Sequence, residues 1–347
     1  MPRKLFCEIS PLTYRISTQK EILLRRLSDL GSGARFAETR DPAPLPVLVY
    51  RHNSLIRRTL GGVDQALQEN KAVNLSLAAP KVNGILIRPG ETFSFWRLVG
   101  DCTAKKGYRM GLTIERGVPS RGIGGGMCQF TNLIHWMALH SPLTVAEHHH
   151  HDGVDLFPDC NRQVPFGVGT SILYNYLDYR LKNETGQTFQ LLVHTGQEYL
   201  HGELRCEQPL PEKRHVEVEQ EWFERGADGN VYRSNVVARR TVRKSDGVLL
   251  NREVIKRSRA RVLYDPALTD PAKWREPQPE WRRAGHDHTA IGKDRRRRLD
   301  RECGRGDRRG PPERGGRDCR GRADLFAGER KTPLRFPGKY GGARLVL

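Results

Sequence analysis

Gly122-Ile123-Gly124-Gly125-Gly126-Met127-Cys128-Gln129 sets a cysteine one residue behind three glycines. Twenty residues after it, four histidines and an aspartate follow in a row, His148 to Asp152. A glycine-rich turn ahead of a helix frees backbone N–H groups and permits positive φ. A cysteine at the helix start sits at the positive end of the helix dipole, which favours the thiolate that attacks carbonyls or binds metal. With His148 or His150 as base and Asp152, Asp155 or Asp178 to orient it, Cys128 has the makings of an acyl-transfer nucleophile. Gln129 and the amides of Gly124, Gly125 and Gly126 would then hold an oxyanion. Two other readings fit the same residues. Cys128 could be a structural thiol on a buried helix start, with the glycines serving close packing. Alternatively, His148, His150, Cys128 and an aspartate could form a tetrahedral zinc site, although their spacing matches no short zinc motif. No bound metal and no cofactor is expected.

These residues act together only if the fold brings them together. Phe130, Leu133, Ile134, Met137 and Ala138 recur on one helical face, which predicts a helix from about Gln129 to His140, roughly 18 Å long. Ser141-Pro142 stops it. Leu143 to His148 reads as a strand about 20 Å long, and an antiparallel return would set His148 beside Cys128. Strand alternation puts His148, His150 and Asp152 on one side, with His149 and His151 on the other.

The Gly-Gly-Gly-X-Cys-Gln core resembles the VanW family, accessory proteins found with vancomycin B-type resistance clusters. The resemblance extends upstream to Val82–Phe95 ("VNGILIRPGETFSF") and Gly100–Tyr108 ("GDCTAKKGY"). Downstream it takes in the histidine region and Tyr174–Thr185 ("YNYLDYRLKNET"). One departure is Glu147 to His151, where longer relatives carry an Arg-X-His-Ser element, so no role of that serine transfers. The resemblance implies an accessory role in glycopeptide resistance or the cell envelope. The implied partner is a peptidoglycan precursor peptide or a cell-envelope protein, with no defined reaction.

Three regions and a tail organise the chain. Residues 1–45 hold a basic amphipathic helix around Thr18 to Leu30 and a Pro-rich connector, "RDPAPLP". Residues 46–207 form the core: a β run "VLVYRH", a helix near Asp64 to Ala79, and a strand, Pro-Gly turn and strand in "NGILIRPGETFSF". Later in the core, "NETGQ" signals a hairpin between "SILYNYLDYRLKN" and "TFQLLVHTG". Residues 208–270 read as a meander turned by two Asp-Gly pairs. The fold class is α+β: a mainly antiparallel β core with three or four helices, a C-terminal β meander and a disordered Arg/Gly-rich tail.

Charge points away from the core. The formal net charge is +19, but residues 271–347 alone hold 18 Arg and 4 Lys against 11 acids. That tail lacks periodicity and apolar content, so it cannot offset the entropy of ordering. Its bias resembles GC-rich DNA translated out of frame; the alternative is a basic arm for nucleic acid or acidic lipid. No specific nucleic-acid binding is expected. Seven cysteines show no regular spacing, and no stretch approaches the ~20 apolar residues of a transmembrane segment. Without an export signal, the sequence reads as a soluble, cytoplasmic protein with reduced thiols.

Overall fold

The computed structural model describes residues 5–57, 64–115, 118–150, 153–156, 158–159, 163–174 and 177–275. Asp152 and the expected disordered tail from residue 276 onward lie outside them.

Ser10 caps the first helix, α1 (Pro11–Gly31), by accepting the Thr13 N–H at 3.2 Å, and Pro11 opens it. Strands β1 (Arg35–Phe36) and β2 (Val47–Leu55) lead to α2 (Gln65–Val82), whose N-cap is Asp64. Next come β3 (Ile85–Ile87), β4 (Glu91–Ser94), the short α3 (Phe95–Val99), β5 (Met110–Glu115) and β6 (Val118–Ile123). The predicted central helix is α4 (Met127–Leu139), followed by β7 (Thr144–Glu147) and β8 (Gly153–Asp155). The chain continues through β9 (Arg180–Lys182), β10 (Phe189–Thr195) and β11 (Tyr199–Cys206). It closes on β12 (Glu212–Arg225), β13 (Val231–Arg243) and β14 (Leu249–Val262).

Among the described residues the strands form sheets ordered β1-β4-β9-β7, β2-β11-β10-β3 and β12-β13-β14-β8, with a separate β5-β6 hairpin. Pairing is antiparallel except for β1 with β4 and β14 with β8. This is the expected α+β class. The meander β12-β13-β14 turns at the two Asp-Gly sites, as read from the sequence.

The apolar stripe of α4 is buried throughout and packs across β2 and β11, while α2 covers β10. Burying each such Leu, Ile or Phe side chain contributes about 1.5–3 kcal/mol, so this seam anchors the main core. The "NETGQ" hairpin needs correction. β9 pairs with β4 and β7, whereas β10 pairs with β3 and β11. Asn183 redirects the chain from one sheet to the next: its Nδ2 donates to the Ile87 and Gln187 carbonyls at 2.7 and 2.8 Å, and its Oδ1 accepts the Thr185 N–H. That side-chain turn competes with the two-strand turn.

The meander is tied to the core by Arg233, which is 2% exposed. Its guanidinium pairs with Asp155 at 3.2 Å and with Asp159 and Glu221, and lies over the Phe166 ring at 4.8 Å. Past the expected boundary at 270, Trp274 stacks on Phe223 with centroids 6.1 Å apart, so the fold runs on to Arg275. Among the described residues no helix is long and apolar enough to cross a membrane.

Candidate functional site

The glycine turn is closely packed. A side chain at Gly124 would place its Cβ 2.4 Å from the Cβ of Cys102, and one at Gly126 would meet the Lys71 stem at 2.6 Å. At Gly125 the obstacle is backbone: Gly111 carbonyl carbon at 2.5 Å and Leu112 O at 2.7 Å. Gly124 and Gly126 also take positive φ, +83° and +111°. Asn74 of α2, fully buried, locks the turn. Its Nδ2 donates to Gly125 O at 2.9 Å and Arg109 O at 3.0 Å, and its Oδ1 accepts the Arg109 N–H at 2.7 Å. Asn74 was not singled out from the sequence, because Gln68 and Lys71 share its buried helix face and leave no contrast to mark it.

Cys128 follows directly at the start of α4, packed against the main core. Burial pushes its thiol pKa up, opposing the helix dipole, and backbone of Ile172 and of Cys128 itself only partly offsets this. Desolvation wins. The Gln129 side chain donates to Ser54 Oγ at 2.9 Å and Leu55 O at 2.8 Å, stitching α4 to β2. Under native conditions at neutral pH, Cys128 is therefore expected to resist iodoacetamide and to become labelled only in denaturant. Mass mapping that found Cys128 modified ahead of Cys102 and Cys206 would restore the nucleophile.

The histidines converge elsewhere. His148 lies against His135 of α4 with the rings tilted by 35° and meets His150 edge-on, each pair with centroids 4.0 Å apart. His135 Nδ1 lies 3.0 Å from the Tyr179 hydroxyl, and His150 Nδ1 lies 3.1 Å from Gly169 O. Nε2 of both His135 and His148 is buried without a hydrogen-bond partner. Burial pushes the His135 imidazole down to about 3, and burial together with the neighbouring rings drives His148 lower still in direction. His149 points the other way, to Glu147 Oε1 at 3.0 Å, in keeping with strand alternation. Among the described residues no three His, Cys, Asp or Glu side chains are grouped as a metal would need. Of the acids considered with Cys128, Asp155 pairs with Arg233. Asp178 accepts from Ser94 Oγ at 2.6 Å, the Trp96 N–H at 3.0 Å and Arg180 Nε at 2.9 Å.

Asp178 opens onto a different feature, a cleft of about 290 Å³ between α1 and the β4–α3 corner. Arg25, Arg26, Arg97 and Arg180 line it against Asp29 and Asp178, with Trp96 and Tyr174 as an aromatic wall. The two rings meet edge to face at 5.5 Å. Arg180 grips Asp29 with two bonds of 2.8 Å, and Arg25 reaches Glu147. Burial alone would raise the Glu147 carboxyl; hydrogen bonds from His149 and Arg25 hold it down to about 2. Arg97 pairs with Glu38 at the surface, an exposed contact of little strength. Arg26 makes no hydrogen bond or ion pair among the described residues. The cleft thus presents two exchangeable guanidiniums beside aromatic rings.

Residues 70–205 match the family model described as VanW like protein. The chain is 39% identical over 172 residues to the vancomycin B-type resistance protein VanW of Enterococcus faecalis, covering 50% of this chain and 62% of that protein. It is 29% identical over 122 residues to the uncharacterized protein YoaR of Bacillus subtilis, covering 34% of this chain and 37% of that protein. The chain spans less than two thirds of the length of either relative. No solved structure matches it.

Proposed function

Since the chain belongs to the VanW family through residues 70–205, we propose that it is an accessory protein of glycopeptide resistance or cell-envelope metabolism. It acts as a non-catalytic module that binds a peptide bearing a free carboxylate, such as a peptidoglycan precursor stem. The resistance context comes from the relative in Enterococcus faecalis, whose name carries it. One observation supports recognition over chemistry: Arg26 and Arg97 line the open cationic cleft, while the half-buried Cys128 thiol packs against the core and is raised in pKa.

A carboxylate entering the cleft would meet Arg26 and Arg97, and its peptide would lie along Trp96 and Tyr174. Charge-assisted hydrogen bonds of this kind contribute about 1.5–3 kcal/mol each, roughly tenfold or more in affinity. Titration calorimetry with a stem pentapeptide is expected to show binding to the free acid and at least roughly tenfold weaker binding to its C-terminal amide. The Arg26→Ala/Arg97→Ala variant should lose the preference, and Cys128→Ala should keep it. Equal binding of acid and amide would sink the reading. The cysteine acyl-transfer alternative, with Cys128 and His148 and with Asp152 outside the described residues, predicts cleavage of the peptide that Cys128→Ala abolishes.

A further inference from the structure

An amphipathic surface helix ordinarily buries its apolar stripe and shows water its charges. α1 does the reverse. Stepping about 100° per residue, Leu12, Ile16, Leu23, Leu27 and Leu30 fall within a sector of about 60°. All five are exposed, between 50% and 81%, and no residue of α1 is buried. The side that docks on the domain is the charged one. Arg25 pairs with Glu147, and Asp29 accepts two hydrogen bonds from the Arg180 guanidinium. These anchors fix which way the helix faces.

The outward half carries a consistent charge. Arg15 and Arg26 flank the stripe on one side and Lys20 on the other, whereas both acids of the helix, Glu21 and Asp29, fall outside it. Ahead of the helix, Leu5, Phe6 and Ile9 extend the apolar surface and are also exposed. A second copy of the chain is a poor occupant. Taking Ile16, Leu23 and Leu30 as one seam position of a heptad puts Leu12, Gln19 and Arg26 at the other, and the opposite phasing puts Thr13, Lys20 and Leu27 there. Either phasing sets a charge in the seam. Leucine and isoleucine bordered by lysine and arginine are instead the pattern of a helix lying in the plane of an anionic lipid surface.

We propose that α1 is an in-plane membrane-docking helix, held to the domain by its Arg25 and Asp29 ion pairs and set against anionic lipid by its outward stripe. At about 32 Å for 21 residues, it lies along the surface and crosses nothing. The cleft opens on the inner side of the same helix, so docking would hold the cleft close to the lipid headgroups.

Flotation of the full-length chain with vesicles tests this, using phosphatidylcholine alone or mixed with phosphatidylglycerol. The wild type is expected to float with the anionic vesicles at low salt, at least tenfold more than with the neutral ones. Leu23→Asp/Leu27→Asp should abolish flotation while leaving the circular dichroism spectrum unchanged, since neither side chain is buried. Undiminished flotation of that variant would assign lipid binding to the basic C-terminal residues and overturn the proposal. A concentration-dependent dimer dispersed by the same substitutions would overturn it in favour of a second copy.

Discussion

Gly125→Ala is expected to cost about 3 kcal/mol or more, at or beyond the top of the usual overpacking range. The new methyl group would sit 2.5 Å from the Gly111 carbonyl carbon, 2.7 Å from its Cα and 2.7 Å from Leu112 O. Those are backbone atoms of β5, which is hydrogen-bonded to β6 along its whole length. They cannot swing aside as a lysine stem can at Gly126. Gly125 O is also an acceptor for buried Asn74, so any retreat of the turn breaks that bond. Against a typical domain stability of about 5–15 kcal/mol, the loss should show as a large fall in the urea midpoint or in soluble yield. Gly169→Ala is the control: its methyl would approach nothing closer than 3.7 Å. Alanine keeps the N–H, so an oxyanion-binding role for this amide predicts a stable variant. Full stability of Gly125→Ala would return the glycine turn to chemistry.

Much of this fold was legible because periodicity reports burial. The α4 stripe, the α2 helix and the meander with its Asp-Gly turns are set by local patterns that the tertiary structure reinforces. The "NETGQ" turn misled because the same residues close a hairpin or pass between sheets; Asn183 decides by bonding to Ile87, far away in sequence. The candidate site divides along the same line. The glycines, Cys128 and the alternation of His148, His149 and His150 could be read directly. Whether Cys128 meets an imidazole depends on where the strand after α4 comes to rest, and its histidines lie against His135, a residue hidden on a helix face that looked apolar. The dipole that favours a thiolate is a local property, and the burial that overrides it is not. The inward charges of α1 were invisible for the same reason: their partners, Glu147 and Arg180, lie more than a hundred residues away.

The histidine cluster is expected to make stability fall between neutral and mildly acidic pH. In the unfolded chain a histidine takes its proton at about pH 6.5, whereas in the folded protein burial pushes His135 down to about 3 and His148 further in the same direction. Below the unfolded value the unfolded state binds more protons than the native one, so stability is lost as pH falls and is fully present above that value. At pH 5 each histidine that stays neutral in the fold forfeits about 2 kcal/mol, and the pair about 4 kcal/mol. Carboxylates do not blur this window. Glu147, held down to about 2, contributes stability that begins to fail only as pH drops below the ordinary carboxylate range, about 4.3. Urea unfolding at pH 7.5, 6 and 5 should therefore give midpoints that drop progressively. Burial lowers His140 and His201 as well, so His148→Leu removes one of several protons taken up on unfolding and should lessen the fall to pH 5 by about 2 kcal/mol. The two orphaned Nε2 atoms offer an incoming proton no acceptor, so the native state has no ready means of relieving the penalty. A stability flat from pH 7.5 to 5, or a fall that His148→Leu leaves unchanged, would show that the cluster accepts protons in the folded state.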